Sequence, residues 1–168
     1  MEVTEVTMDL AQWMTTFRAL HEKAKRGALD GSEERDYKAG REELARALVG
    51  AQRLTVQPDQ SPRQALRVAR AIQVELESRV RKELLTTFEL SLGGFSAAMA
   101  RPPAPDEELT ATLRLPGVDP LATQVKVVGV KPQTGNVRVS FAFVRLQGAA
   151  AERLELAIFD MVLAQLGK

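Results

Sequence analysis

Cysteine is absent from the 168 residues, and histidine occurs once, at His21. Without a thiol there is no disulfide framework, no thiolate zinc site and no cysteine nucleophile, and the redox compartment stays open. One imidazole excludes multi-histidine metal sites and leaves a single candidate for imidazole chemistry. Aromatics are scarce, at 5%, too few for the stacking platforms on which single-stranded nucleic acid is bound. No charge of one sign dominates. Lys+Arg 23 against Asp+Glu 22 leaves a formal net charge of +1, which speaks against bulk affinity for DNA, RNA or an anionic membrane. Long apolar runs are missing too: stretches such as Ala157-Ile158-Phe159 fall far short of a membrane span. The start, Met1-Glu2-Val3-Thr4-Glu5, has neither the basic opening nor the apolar core of a secretory signal. The expectation is a soluble, cytoplasmic protein.

What is present is ordinary for a globular chain: 45% hydrophobic residues with 27% charged. At about 150 residues per domain the length suggests one domain with a small appendage. A chain of this size buries roughly two thirds of its unfolded surface and needs no metal or disulfide for stability.

The apolar period changes near residue 57. From Met8 to about Lys25, Leu10, Trp13, Phe17, Leu20 and Ala24 recur at helical spacing in a narrow seam. The stretch Gly27–Ser32 breaks it, with Asp30 or Ser32 placed to cap a second helix. That helix runs to about Arg53, with Tyr37, Leu44, Leu48 and Ala51 on one face, so residues 1–57 form a helical hairpin. Pro58, Ser61 and Pro62 form a linker-like break. Residues 58–168 follow as a second unit. In 66–76 the period is two: Leu66, Val68, Ile72, Val74 and Leu76 point one way, and Arg67, Ala69, Ala71, Gln73 and Glu75 the other. Further strand-like runs fall at 84–90, 94–100, 108–115, 123–131 and 137–145, with a hairpin signal at Thr134-Gly135-Asn136. Six short strands at this spacing suggest an antiparallel barrel or sandwich. From Ala149 the helical period returns, with Leu154, Ile158, Met161 and Gln165 on one face and Leu156, Phe159, Leu163 and Leu166 beside it, a stripe wide enough to close one side of a barrel.

Enzymatic readings fail on spacing. His21, between Leu20 and Glu22, reads as a surface histidine, since a catalytic imidazole needs an orienting group and a pocket. Ser91 in Glu89-Leu90-Ser91-Leu92-Gly93-Gly94 lacks the preceding glycine of a nucleophile elbow, and no downstream histidine exists to activate it. Gly93-Gly94 is too short for a phosphate loop and has no following Lys-Ser/Thr. The run Asp106-Glu107-Glu108 reads as a solvated loop. Asp160 has no second carboxylate at metal-ligand spacing.

Charge is distributed unevenly. Residues 1–60 hold 9 basic and 11 acidic side chains, and residues 61–101 hold 7 basic and 4 acidic. Arg63, Arg67 and Arg70 precede the first acid of that segment, Glu75. Arg67 lies on the face opposite Val68 and Ile72, and Glu89 and Ser91 on the face opposite Phe88 and Leu90. On a barrel this alternation gathers two arginines, a carboxylate, a hydroxyl and a glycine pair on one outer surface. Arginine pairs bidentately with phosphate or with guanine O6/N7, a carboxylate accepts from guanine N1–H and N2–H2, and glycine lets a ring approach the backbone. The set suits a guanine nucleotide carrying phosphates. It also describes a solvated basic strand.

The pattern Arg63-Gln64-Ala65-Leu66-Arg67, then a hydrophobic strand, then Glu89-Leu90-Ser91-Leu92-Gly93-Gly94, resembles the PilZ domain, whose motifs are Arg-x-x-x-Arg and Asp/Asn-x-Ser-x-x-Gly. The resemblance covers roughly residues 62–166. It implies a six-stranded antiparallel barrel with a C-terminal helix, an α+β chain once the helical hairpin is added, that binds cyclic di-GMP, a bacterial second messenger. By position, Arg63 and Arg67 would grip guanine edges and phosphates, Glu89 and Ser91 would address a guanine's Watson–Crick edge, and Gly94 would give the ring room. Arg70 and Gly93 stand beside them as accessory candidates. Position 89 departs from the pattern, being Glu where the family prefers Asp or Asn. The extra methylene displaces the carboxylate over a distance at which hydrogen bonds fail. Glu89 then either reaches guanine by another rotamer or pairs with Arg67. Pro62 stands where a basic residue accompanies a stacked ligand dimer in the family, which implies one ligand molecule per site.

Two functions follow. One is a non-enzymatic cyclic di-GMP receptor without cofactor or metal, in which an arm carrying Arg63 and Arg67 is mobile until the ligand clamps it and the hairpin relays the change to a downstream protein. The other is a degenerate member serving as a protein-interaction adaptor. The hairpin seam of Trp13, Phe17 and Leu20 either docks on the barrel, dimerises or binds a partner. Docking is preferred, because an isolated two-helix hairpin buries too little to stand alone.

Overall fold

The computed structural model describes residues 9–53, 56, 58 and 60–166. Four helices and six strands follow in the order α1 (Leu10–Lys25), α2 (Gly31–Ala51), α3 (Pro62–Ala65), β1 (Gln73–Glu77), β2 (Lys82–Leu90), β3 (Gly94–Met99), β4 (Leu109–Leu113), β5 (Leu121–Gln133), β6 (Asn136–Phe143) and α4 (Gly148–Leu166). Met8, where the first apolar seam was expected to begin, lies outside the described residues. No helix among those described is long and apolar enough to cross a membrane.

Local chemistry sets the helix boundaries. The Asp9 carboxylate caps α1 through Ala11 N–H. Asp30, of the two capping candidates, opens α2 in a reciprocal box with Glu33. A second box, Ser61 with Gln64, starts the short α3. The first strand starts later than the expected residue 66. The chain leaves α3 in extended form, touches β2 through one bridge at Val68↔Leu90, and becomes a strand only at Gln73. Leu66, Val68, Ile72, Val74 and Leu76 are nevertheless all buried. An extended chain alternates its side chains whether or not both of its edges are paired.

The six strands close as β1-β2-β3-β6-β5-β4, every pair antiparallel. Closure leaves no free sheet edge. One apolar core runs from the barrel into the helices, with Phe95 stacked on Phe141 at 4.9 Å and Leu154, Ile158, Phe159 and Met161 of α4 buried. Gln165 and Ala51, expected on apolar faces, are exposed, because each lies in a last helical turn beyond the packed surface.

The hairpin docks on α4. Trp13, Phe17 and Tyr37 stack in series at 5.3 Å and 5.4 Å, and Phe17 meets Phe159 edge-on at 6.4 Å. A side chain at Gly40 would stand 2.7 Å from the Phe17 ring, so glycine is what lets α1 and α2 close on each other. Arg18 donates to the Leu163 carbonyl at 2.9 Å.

His21 is not a surface histidine. It is 1% exposed, with Nδ1 2.7 Å from the Tyr37 hydroxyl and Nε2 3.2 Å from Asp160. A carboxylate only accepts, so the neutral ring carries its proton on Nε2 and Nδ1 accepts from tyrosine. The seam was visible as apolar spacing, but the partners of His21 beside it come from α2 and α4. The acidic run at 106–108 is also more than a solvated loop. Glu107 accepts from Ser78 Oγ and Arg81 Nε, each at 2.7 Å, and these hydrogen bonds hold its carboxyl below the usual range.

Candidate functional site

Where the extended segment 66–72 crosses the end of β2, the barrel wall is hollowed into an open cleft of about 640 Å³. The Val68–Leu90 bridge ties this segment to β2 through backbone hydrogen bonds of 2.8 Å and 2.9 Å, and Gln52 at the end of α2 donates to the Arg67 carbonyl at 2.9 Å. Residue 67 is thereby placed beside residue 89. Arg67, Glu89, Ser91, Gly93 and Gly94 all line the cleft, so five of the seven residues singled out from the sequence meet at one place.

A β-bulge determines which side of β2 faces the cleft. The β2–β3 register shifts between Thr87 and Glu89, so Thr87 and Leu90 are both buried while Phe88 points outward, 41% exposed. Phe88 and Leu90 therefore do not share a face, contrary to strict alternation, because the extra residue of a bulge shifts the phase of every side chain after it. Glu89 lies between two guanidinium groups. Its Oε2 is 3.4 Å from Arg67 Nη1 and its Oε1 is 3.4 Å from Arg138 Nη2. Both distances exceed the 2.7–2.9 Å usual for charge-assisted bonds, and Arg67 is 57% exposed. Such a pair contributes at most about 1 kcal/mol and is readily exchanged for another anion.

The turn after β2 uses Ser91 and the glycines structurally. Ser91 Oγ accepts from Gly93 N–H at 3.2 Å, and Ser91 N–H donates to the Gly94 carbonyl at 2.9 Å. At Gly94 a Cβ would fall 1.8 Å from the Phe141 carbonyl oxygen and 3.0 Å from Ala142 Cα. The close pairing of β3 with β6 thus requires glycine there whatever ligand the cleft takes. Gly93 has only Ser91 Oγ nearby, at 3.8 Å.

Arg63 and Arg70 are not among the cleft residues. Arg63, on α3, donates from Nε to Glu42 of α2 at 2.9 Å and from Nη1 to Glu155 of α4. Glu155 also lies 3.7 Å from Nε of Arg41, a buried side chain whose Nη1 binds Glu152 at 2.9 Å. Arg70 offers its carbonyl to Thr87 Oγ1 at 2.6 Å. The sequence reading missed Arg138, Lys131 and Ser96 of the cleft wall. A faint signal existed for Arg138, which alternates with Val137 and Val139 in a strand whose apolar side must face the core. Among the described residues, no group of three His, Asp or Glu is arranged to hold a metal ion.

Comparison with known structures gives the same barrel. The PilZ domain with c-di-GMP of YcgR from Escherichia coli is 13% identical, with a TM-score of 0.52 over 60% of this chain and 91% of that one. Inhibitor of motility MotI/DgrA from Bacillus subtilis is 16% identical, with a TM-score of 0.51 over 61% of this chain and 51% of that one. MrkH from K. pneumonia in its apo state is 18% identical, with a TM-score of 0.53 over 68% and 57%. The matched part is about half the length of MotI/DgrA. At these identities the likeness is one of fold. No curated protein matches the chain. A family model described as PilZ domain matches residues 61–160, from the capping box of α3 to the middle of α4. This span contains the whole barrel and the cleft, and the chain belongs to the PilZ domain family.

Proposed function

We propose that the protein is a cytoplasmic, non-enzymatic receptor that binds cyclic di-GMP in the cleft between the arm, the end of β2 and the β5–β6 wall. The observation that carries this reading is the convergence of Arg67 with Glu89 and Ser91, from two separate stretches of the sequence, on one open cleft. Arg67 grips phosphate or a guanine edge, and the Glu89 carboxylate and Ser91 hydroxyl address a guanine's Watson–Crick edge. The Arg67–Glu89 pair exchanges for ligand contacts at small cost.

Arg63 provides the relay. Turning it toward the ligand removes its bonds to Glu42 and Glu155, which belong to the hairpin and to α4. Each carboxylate has a second cation in reach: Arg46 lies 3.8 Å from Glu42, and Arg41 Nε lies 3.7 Å from Glu155. That Arg41 nitrogen is buried without a hydrogen-bond partner among the described residues, so a Glu155 freed from Arg63 gains a bond by moving to it. Ligand capture in the cleft becomes a changed set of contacts on the helical side, read by a downstream protein.

Calorimetry with cyclic di-GMP, against GTP and cyclic GMP as controls, tests the reading. Binding is expected for the dinucleotide alone. Arg67→Ala loses about 10- to 100-fold in affinity, the worth of one charged hydrogen-bonding group, whereas Glu89→Asp keeps or improves it. No heat at high micromolar cyclic di-GMP rejects the receptor. The alternative, a member of the family acting only as a protein-interaction adaptor, is supported by the engagement of Arg63 with Glu42 and Glu155, and it predicts that silent isotherm.

A further inference from the structure

The β5–β6 wall of the cleft carries two positive charges side by side. Lys131 on β5 stands directly opposite Arg138 on β6 in the barrel register. Like charges at paired positions of adjacent strands are unfavourable. Both side chains line the cleft, and among the described residues Glu89 is the only acidic one that lines it with them. With Arg67, three cations face one carboxylate. The excess of two positive charges equals the charge of a ligand with two phosphodiesters.

Arg138 is also the better anchored of the two cleft arginines. Its Nη2 donates to Ser96 Oγ on β3 at 3.1 Å and lies 3.4 Å from Glu89 Oε1. Its guanidinium covers the Phe88 ring at 5.0 Å, and Phe88 itself does not line the cleft. The ring therefore backs the guanidinium from the outside while the cation borders the cleft. Both polar contacts use Nη2, so among the described residues the Nη1 and Nε donors remain for an incoming oxygen. Held by a ring and a hydroxyl, Arg138 has little rotamer freedom left to lose on binding, whereas Arg67, 57% exposed, has most of its own.

We propose that Arg138, assisted by its cross-strand neighbour Lys131, is the fixed phosphate-binding element of the cleft and takes a phosphodiester of the bound nucleotide. Arg67 completes the grip from the arm. The ligand's identity rests on the function proposed above; the assignment of the anion-binding wall rests on the register and the contacts of Arg138.

Full-length protein and its Arg138→Gln, Arg138→Lys and Lys131→Ala variants are titrated calorimetrically with cyclic di-GMP and, separately, with inorganic pyrophosphate. Thermal melts establish that each variant is folded, and glutamine retains a donor for Ser96. For cyclic di-GMP, Arg138→Gln is expected to lose about 10- to 100-fold in affinity. Arg138→Lys recovers part of that loss by keeping charge without the planar fork. Lys131→Ala loses a few-fold and flattens the salt dependence. If the parent binds cyclic di-GMP and folded Arg138→Gln binds it equally well, the assignment of Arg138 is overturned while the receptor stands. If the parent binds only pyrophosphate and loses it in Arg138→Gln, the anion wall is supported and the dinucleotide rejected. If the parent binds neither, both are overturned.

Discussion

Gly94 shows how a motif residue can be required for a reason other than its ligand. The sequence pattern assigns it to making room for a guanine. The packing assigns it first to the pairing of β3 with β6, where the Phe141 carbonyl occupies the place of a Cβ. Gly94→Ala must push β3 from β6 and is expected to destabilise the fold by on the order of 3 kcal/mol, the upper range for overpacking. Gly93→Ala, with 3.8 Å to its nearest neighbour, leaves the melting temperature nearly unchanged. Chemical denaturation of the two variants side by side checks this. Equal stability of Gly94→Ala and the parent would show that the strands adjust freely. Glu89 illustrates the opposite case. Its substitution for Asp or Asn was legible at once, but which of its two expected uses prevails depends on Arg138, a residue 49 positions away that only the barrel brings alongside.

Between elements, the junction of α2, α3 and α4 stores the contact that ligand binding would exchange. Arg63 and Glu42 are each about one-third exposed, so their bond is worth no more than roughly 1 kcal/mol. Glu42→Gln weakens the hold on α3 without touching the cleft. The expected result is about fivefold tighter binding of cyclic di-GMP, the equivalent of that energy. Unchanged affinity would mean that Arg63 does not leave its carboxylates. This junction was invisible in the sequence. Arg63 was identified by its motif, but the acids that hold it come from helices read for their apolar faces alone. The buried Arg41 was missed for the same reason, because a charged residue amid helical polar positions gives no sign that two glutamates of α4 await it.

For the molecule as a whole, the burial of His21 predicts a stability that depends on pH. Burial pushes its imidazole below the ordinary value of 6.5, outweighing the pull of Asp160 and Glu22, with Lys25 acting in the same direction as burial. Tyr37, kept protonated by burial, faces it from α2. Burial alone would raise Asp160, but the hydrogen bonds from Lys25 and His21 prevail and hold it below 3.8. Below about pH 6.5 the unfolded chain binds the His21 proton and the folded one resists it. Stability is therefore complete above that pH and is lost as pH falls through it. The Asp160 contribution has the same sign but persists until the carboxylate range. Melting temperatures measured from about pH 7.5 to about pH 5.5 should fall in the parent protein. In His21→Gln they should start lower and decline less. A parent curve that stays level would remove His21 from the account.

The sequence by itself determined the strand alternation, the helical periods of α1, α2 and α4, the capping residues and the pairing of an Arg-x-x-x-Arg segment with Glu-x-Ser-x-x-Gly. Each is a local pattern, set by a backbone period of two or 3.6 or by the hydrogen-bonding reach of one side chain. Only the tertiary structure decided that the first strand begins at Gln73 rather than at residue 66, that a bulge turns Phe88 outward, that His21 is buried, and that Arg67 faces the cleft while Arg63 faces the helices. These depend on which groups a closed barrel and a docked hairpin bring within a few ångströms, and a charge has no fixed partner until the chain has folded around it.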